Sequence, residues 1–239
     1  MKSKTVEYIQ EALYDLSDKD KIKKLQQYFK TQPGEYGEGD LFIGVKVPDQ
    51  RKVAKEFYTK ASFVDLAELL SQPIHEVRLT ATFILVLQYE KSKDWAEKKT
   101  IVDFYLSHTA SFNNWDLVDS SCYKILGHYA FHQNQKEILL RLAESPSLWE
   151  KRMAVVSTLY FIKQKEFSIV TQIVEKNLHH PHDLMHKANG WMLREMGNVD
   201  EVRLLIFLDA FAQELPRTTL RYSIEKLPEN IRQEYLKKK

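Results

Sequence analysis

The sequence predicts an all-α fold, a curved solenoid of stacked antiparallel helix pairs. Apolar residues recur at helical spacing along almost all of the 239 residues. Seven glycines and seven prolines leave little material for the many turns of an all-β fold. Short segments also repeat at intervals that two helices and their turns would fill. These three observations together favour a helical-repeat protein.

Capping and turn residues place the helices along the chain. Ser17 or Asp18 is positioned to cap the second helix, and Pro48 opens the third, as proline does in a first turn. The loop 31–40 between them holds three of the seven glycines, and residues 41–45 are predicted to be extended or irregular. The predicted helices span residues 5–15, 18–30, 49–60, 63–71, 74–90, 94–107, 114–131, 135–144, 147–163, 167–178, 183–197, 200–214 and 217–226. No linker separates them, so residues 1–239 are predicted to form a single helical-repeat domain.

A weak internal repeat underlies this order. Five segments begin with a charged residue and have a small residue two positions later, with starts 41, 33, 35 and 34 residues apart. The charged residues are Arg78, Asp119, Arg152, Lys187 and Arg221, and the small ones are Thr80, Ser121, Ala154, Asn189 and Ser223. This period is typical of HEAT-like arrays. If the charged position lies on the concave wall, it forms a cationic trough with one carboxylate, which would attract a phosphate backbone. The alternative is that these charges only solvate helix ends.

Composition limits the function classes. Lys and Arg number 35 against 33 Asp and Glu, so a nucleic-acid role must depend on local patches. The single cysteine, Cys122, excludes an intrachain disulfide and a cysteine zinc site, and we expect it to pack in the core. The first residues lack the apolar stretch of a signal peptide, and no apolar run reaches the roughly 18 residues of a membrane span. We therefore expect a cytoplasmic monomer with no membrane contact and no cofactor.

Two tryptophans and one carboxylate form the chemically most informative pattern. Trp115 and Asp119 stand at i and i+4 and share one helix face. Trp191 stands four residues after Lys187, and Arg194 continues the same stripe. A cation over an indole face gains roughly 0.5–2 kcal/mol, and a carboxylate adds a Coulomb contribution. The pattern fits a cation-selective site, although tryptophans on helices are more often core residues.

Four pieces of the chain carry a family resemblance. They are Gln27–Lys30 with Leu41–Val45 and Pro48–Arg51, then Trp115–Asp119, Lys151–Val155 and Lys187–Glu195. In this order, over residues 20–227, the sequence resembles the HEAT-like-repeat alkylpurine DNA glycosylases of the AlkD type. The last three pieces match that family's Trp-Asp-x-Val-Asp, Arg-x-Ala and Lys-Ala-x-Gly-Trp-x-Leu-Arg-Glu segments.

The resemblance implies an activity and residue roles. It implies a monofunctional DNA glycosylase that removes cationic N3- or N7-alkylated purines from double-stranded DNA in base excision repair. Such an enzyme would be associated with the nucleoid when it is bound to DNA. Asp119 would be the catalytic carboxylate, with Trp115, Trp191 and Tyr28 contacting the lesion or its sugar. The residues expected to contact DNA phosphates are Arg152, Lys187, Arg194 and Arg221. Two departures, the longer loop 31–40 and Asn114 where some members have a second tryptophan, bear on which lesion is accepted.

Two other functions remain open from the sequence. A non-catalytic solenoid would bind distorted DNA or a protein partner through the same surface, because fold does not fix function. A metal site is the second alternative, since His179, His180, His182 and His186 cluster around Pro181. His182 and His186 have the spacing of helical zinc ligands, but no Glu lies between them, so a solvated turn is the simpler interpretation.

Overall fold

The computed structural model describes residues 3–238, and these residues confirm the all-α prediction. No strand forms among them; Leu41 and Ile74 make an isolated parallel bridge. The helices are α1 Lys4–Asp15, α2 Lys19–Tyr28, α3 Val47–Phe57, α4 Phe63–Leu70, α5 His75–Lys91, α6 Trp95–Ser107, α7 Trp115–Cys122, α8 His128–His132, α9 Lys136–Glu144, α10 Leu148–Lys163, α11 Ser168–Lys176, α12 Asp183–Val199, α13 Glu201–Phe211, α14 Arg217–Ser223 and α15 Glu229–Lys237. Short connections join them into the helix pairs of an α-solenoid.

Side-chain caps fix where several helices begin. The Asp18 carboxylate accepts the Asp20 N–H at 3.1 Å, which confirms the predicted cap of α2. Ser62 and Asp65 form a reciprocal capping box at α4. Pro48 lies in the first turn of α3, as predicted. Such caps satisfy amide groups that have no partner within the helix.

The chain divides into two compact units, one ending at Ser121 and the other beginning at Cys122, and each is described by itself. The single domain over residues 1–239 stays a prediction. In the first unit, α5 packs against α1, α3, α4 and α6. It is buried without interruption from His75 to Val86. Because α5 has no exposed face along this stretch, the polar side chains of its first turn are buried as well.

In the second unit, α10 packs against α9, α11 and α12, and α12 packs against α13 and α14. Gly190 lies where α12 packs tightly against α14. A Cβ atom there would lie 2.5 Å from Tyr222 Cβ and 2.7 Å from the Thr219 carbonyl oxygen. Only glycine fits against α14 at this point, and the next residue is Trp191.

The internal repeat is a packing pattern. All five of its small residues are buried, with exposed fractions of 1% or less: Thr80, Ser121, Ala154, Asn189 and Ser223. The charged residues of the repeat share no common environment, since Arg78 and Arg152 are buried whereas Arg221 is exposed. The repeat therefore sets how neighbouring helices approach, and it does not by itself build a row of exposed cations.

Two local features differ from the predicted elements, and the irregular segment 41–45 agrees with its prediction. The predicted helix 114–131 contains a π-helical turn at Tyr123–Gly127. The helix α15 was not predicted, because its nine residues are mostly polar and it buries only Tyr235 among them. Residues 41–45 form an irregular segment, in which Gly44 has a φ of +87°.

The structure also shows the position of Cys122 and the length of the helices. Cys122 is fully buried, as expected for a packing residue. Between residues 3 and 238, no helix combines the length and hydropathy that crossing a bilayer requires.

Candidate functional site

The first turn of α7 carries Trp115, and Asp119 lies one turn later on the same face. The residue before the helix, Asn114, is fully buried and anchors its start. Its Oδ1 accepts the Trp115 N–H at 2.8 Å, and its Nδ2 donates to Asp40 at 3.2 Å. Trp115 and Asp119 are both half-buried. An indole and a carboxylate are thus presented from a helix whose start is tied to the rest of the first unit.

An aromatic stack, formed by Trp115, Phe29, Phe42 and His75, supports this indole. Trp115 and Phe29 lie nearly parallel with centroids 5.3 Å apart, and Phe29 lies 5.2 Å from Phe42 and 4.7 Å from His75. Tyr28 meets the Trp115 ring edge-on at 5.8 Å and is 64% exposed. The structure therefore brings the predicted pair Tyr28 and Trp115 into contact and supports Trp115 through Phe29.

A buried polar network of Asp40, His75, Arg78, Asn114 and Asp116 lies beneath the stack. The His75 ring donates from Nδ1 to Asp40 at 2.9 Å and from Nε2 to Asp116 at 2.8 Å. Arg78 Nη2 donates to the other Asp40 oxygen at 2.6 Å. Because both ring nitrogens face carboxylates, the arrangement suits the imidazolium, the form that donates from both atoms.

The charges of this network balance one another. Burial opposes the charged imidazolium, but the Asp116 and Asp40 carboxylates outweigh it and raise the pKa of His75 to about 9. Burial acts on Asp40 as well, yet His75 and Arg78 hold the pKa of that carboxyl below its usual value. At neutral pH two cations therefore face two carboxylates, which is the condition under which buried charges are tolerated.

Glu76, the neighbour of His75, holds the irregular segment 41–45. Its carboxylate accepts the N–H groups of Ile43 at 3.2 Å and Gly44 at 2.8 Å, and burial raises the pKa of Glu76. Gly44 lies against the Asp18 carbonyl with its positive φ, a position that a side chain could not occupy. The segment is thus shaped by the Glu76 carboxylate and a glycine, and the isolated bridge from Leu41 to Ile74 holds its start.

The loop 31–40 leads into the network. Its turns are closed by internal hydrogen bonds, including Gly34 N–H to Glu38 at 2.8 Å and Gly37 N–H to the Lys30 carbonyl at 3.0 Å. The Tyr36 hydroxyl donates to the Tyr28 carbonyl at 3.4 Å. The last residue of the loop is Asp40, whose carboxylate joins His75, Arg78 and Asn114. The glycine-rich loop therefore supplies the central carboxylate of the network.

Arg78 fits neither alternative for the charged position of the repeat, an open cationic wall or a solvated helix end. Arg78 is 5% exposed, and its guanidinium pairs with Asp40 and donates to the Gln72 carbonyl at 3.0 Å. Its charge neutralises a buried carboxylate and is not presented to solvent. Asp40, His75 and Asp116 were not predicted, because 35 and 41 residues separate the partners. The available signal was the group of titratable residues His75, Glu76 and Arg78 at the start of α5.

In the second unit, α12 presents Lys187 and Trp191 one turn apart. The Trp191 Nε1–H donates to Glu195 at 3.1 Å, and this bond fixes the rotation of the indole ring. Lys187 pairs with Asp183 at 2.7 Å, and its side chain is about two-fifths exposed, at 42%. The predicted stripe on α12 is therefore present, with an acidic partner beside each of these two residues.

The three predicted phosphate-binding arginines differ in environment. Arg221 is exposed on α14. Arg194 pairs with Glu225 and lies 3.4 Å from Glu195. Arg152 is 5% exposed, and its guanidinium donates to the Leu184 carbonyl. Arg221 is thus open to a ligand, whereas Arg194 and Arg152 already have partners in the protein.

The histidine cluster caps a helix. His182 Nδ1 accepts the Leu184 N–H at the start of α12, and His180 Nδ1 accepts the His182 N–H, both at 3.1 Å. The His186 ring lies 2.6 Å from the His180 carbonyl. In the part of the chain from 3 to 238, no group of three or more His, Cys, Asp or Glu side chains is arranged to hold a metal ion.

The fold defines a helical-repeat protein, and its helix α7 presents an indole and a carboxylate on one face. Comparison with known proteins shows the family. The chain belongs to the family of DNA alkylation repair enzymes, whose family model matches residues 9–227. This membership supports an enzymatic role in alkylation repair with DNA as the partner. A solved structure described as a predicted DNA alkylation repair enzyme from Enterococcus faecalis superposes with a TM-score of 0.70. It is 14% identical, over 89% of this chain and 97% of that one, so the likeness concerns the fold. A comparison with curated proteins found no match to the sequence.

Proposed function

We propose that this chain is a DNA glycosylase that hydrolyses the N-glycosidic bond of cationic N3- or N7-alkylated purines in double-stranded DNA. The observation that carries the proposal is the pair Trp115 and Asp119, an indole and a carboxylate one turn apart on the anchored helix α7. Family membership supports repair of alkylated DNA. The pair adds chemistry suited to positive charge on a base or a sugar.

The reaction needs little acid catalysis when the base is already cationic. Alkylation at N3 or N7 puts positive charge on the purine, so the bond from C1′ breaks with its electron pair moving to the base. Positive charge then develops on the deoxyribose, where the Asp119 carboxylate stabilises it. Asp119 accepts a proton from the water that attacks C1′, which leaves an abasic site and a free neutral base.

The aromatic rings would hold the damaged nucleotide. Trp115 rests on Phe29, so little ordering of its ring is needed when a ligand arrives. A cation over such an indole gains roughly 0.5–2 kcal/mol. The exposed Tyr28 offers a further ring beside it, and Trp191 is the second indole that the family resemblance implies for contact with the lesion.

The cations of the second unit would bind the phosphate backbone in two ways. Arg221 is exposed, so it can reach a phosphate directly, and the partly exposed Lys187 would exchange Asp183 for a phosphate. Arg194 would exchange Glu225 for a phosphate, and Arg152 would have to leave the Leu184 carbonyl. Each phosphate contact made should add about 0.9 to the slope of log affinity against log salt.

The test is release of free base from methylated duplex DNA by the native chain and by Asp119→Asn. We expect the native chain to release N3- or N7-methylpurine and the variant to lose most of this activity, with DNA binding retained. Asp103→Asn is the matched control, because Asp103 is an exposed acid on α6, paired with Lys99. Strand breaks should appear only after alkali treatment of the abasic product, as expected for a monofunctional enzyme.

Two outcomes would contradict the proposal. Full excision by Asp119→Asn would remove Asp119 from the chemistry. No release by the native chain, with DNA binding intact, would instead favour the non-catalytic DNA-binding alternative.

A further inference from the structure

We propose that His75 is a positioning residue of the excision site, which holds the first turn of α7 through Asp116 and through Phe29. This inference rests on the proposed function, because the turn it holds carries Trp115 and leads to Asp119. Nothing in the family resemblance assigned a role to His75. Two separate routes of contact connect it to the site.

The polar route runs through Asp116. This residue directly follows Trp115 and precedes Asp119 by three positions, so it belongs to the same helical turn. Its Oδ2 accepts from His75 Nε2 at 2.8 Å, and its Oδ1 accepts the Leu117 N–H at 2.9 Å. The bond to Leu117 fixes the carboxylate within α7, and the bond to His75 ties that carboxylate to α5, which opposes rotation of α7 about its axis.

The aromatic route runs through Phe29. Its ring lies 4.7 Å from the His75 ring and 5.3 Å from the Trp115 ring, nearly parallel to the indole. Phe42 closes the stack at 4.8 Å from His75. A shift of the imidazole would therefore reach Trp115 through packed rings as well as through Asp116.

The surrounding charges decide the protonation of His75. The charged side chains around it are Asp40, Asp116, Arg78, Glu76, Lys21 and Lys46; the last two line a cavity of about 110 Å³ that His75 shares with Glu76 and Asp116. Burial of the ring opposes its charge, but the Asp116 and Asp40 carboxylates together outweigh burial and raise the pKa of His75 to about 9. A neutral ring donates from one nitrogen only, so deprotonation would set the other against a carboxylate.

The first test is single-turnover base release by His75→Gln over a range of pH. We expect the rate at neutral pH to fall about 10–100-fold, as misplacement of reacting groups by an ångström or less can cause, with DNA affinity close to native. The native rate should also fall as pH rises through about 9, whereas the variant should lack this step. His179→Gln is the matched control, since the His179 side chain is 73% exposed. A folded His75→Gln with the native rate and the native pH profile would overturn the proposal.

The second test does not depend on activity or on a His75 variant. In a chain labelled with 5-fluorotryptophan, each of the four tryptophans gives a ¹⁹F resonance, and Trp115→Phe assigns the relevant one. The Trp115 resonance of the native chain should move with a midpoint near that of His75. If it stays fixed while His75 titrates, the coupling does not exist. If it moves but no base is released under any condition, the glycosylase proposal fails and the hold of His75 on Trp115 stands.

Discussion

Raising the pH should remove a large part of the stability that the buried polar network provides. The pKa of His75 is raised from 6.5 to about 9 in the folded chain, so the folded state binds this proton more tightly than the unfolded state. Its stabilisation is therefore complete below about pH 6.5 and is lost as pH rises through about 9. At 1.36 kcal/mol per pKa unit, the loss between about pH 6 and about pH 10 amounts to about 3 kcal/mol.

Chemical unfolding of the native chain and of His75→Gln across this pH range measures the effect. The variant has no imidazole to titrate, so the difference in unfolding free energy between the two proteins should shrink by about 3 kcal/mol. Titration of lysines and tyrosines common to both proteins cancels in this difference. His179→Gln, which removes an exposed histidine, is the matched control over the same range. Parallel curves for the native chain and His75→Gln would refute the charged, doubly bonded imidazolium.

Three further predictions follow from the second unit and from the chemistry. Gly190→Ala should lower the unfolding free energy by about 1–3 kcal/mol, because its Cβ would collide with Tyr222 and Thr219; an unchanged denaturation midpoint would contradict this contact. Arg221→Gln should weaken DNA binding and lower the salt slope by about 0.9 in anisotropy titrations, and an unaltered slope would exclude a phosphate contact. A neutral purine lesion such as hypoxanthine should be released at least about 10²-fold more slowly than N7-methylguanine, and similar rates would require a general acid that the proposed mechanism lacks.

The helices were predictable because their signals are local. Periodic apolar residues placed α5 at residues 74–90, and the structure has it at His75–Lys91. The cap Asp18 and the proline Pro48 marked the starts of α2 and α3 correctly. The helix α15 was missed because a polar, nine-residue segment carries little periodicity, and Tyr235 alone does not define a face.

The candidate site was predictable only in part. Trp115 and Asp119 could be paired from their spacing within one helix. The buried network joins a loop to two helices through Asp40, His75 and Asp116. Local spacing does not show which distant residues pair with one another. The burial of Arg78 was not predicted, because its partner Asp40 lies 38 residues away in the sequence. Pairing with that carboxylate stabilises the arginine charge in the core.

The two parts of loop 31–40, its end at Asp40 and its tip near Gly34, differ in how they contact the rest of the protein. Its far end is fixed, because Asp40 is bound by His75, Arg78 and Asn114. Its tip is held by bonds within the loop, such as Gly34 N–H to Glu38, and it borders open space. Outside Gly34 and its two chain neighbours, no heavy atom lies within 4 Å of the position of a Cβ at Gly34. Residues inserted at the tip would lengthen the surface next to Tyr28 and leave Asp40 in place. Insertions at the tip could thus give related proteins a new contact with DNA and leave the buried charges beneath Trp115 unchanged.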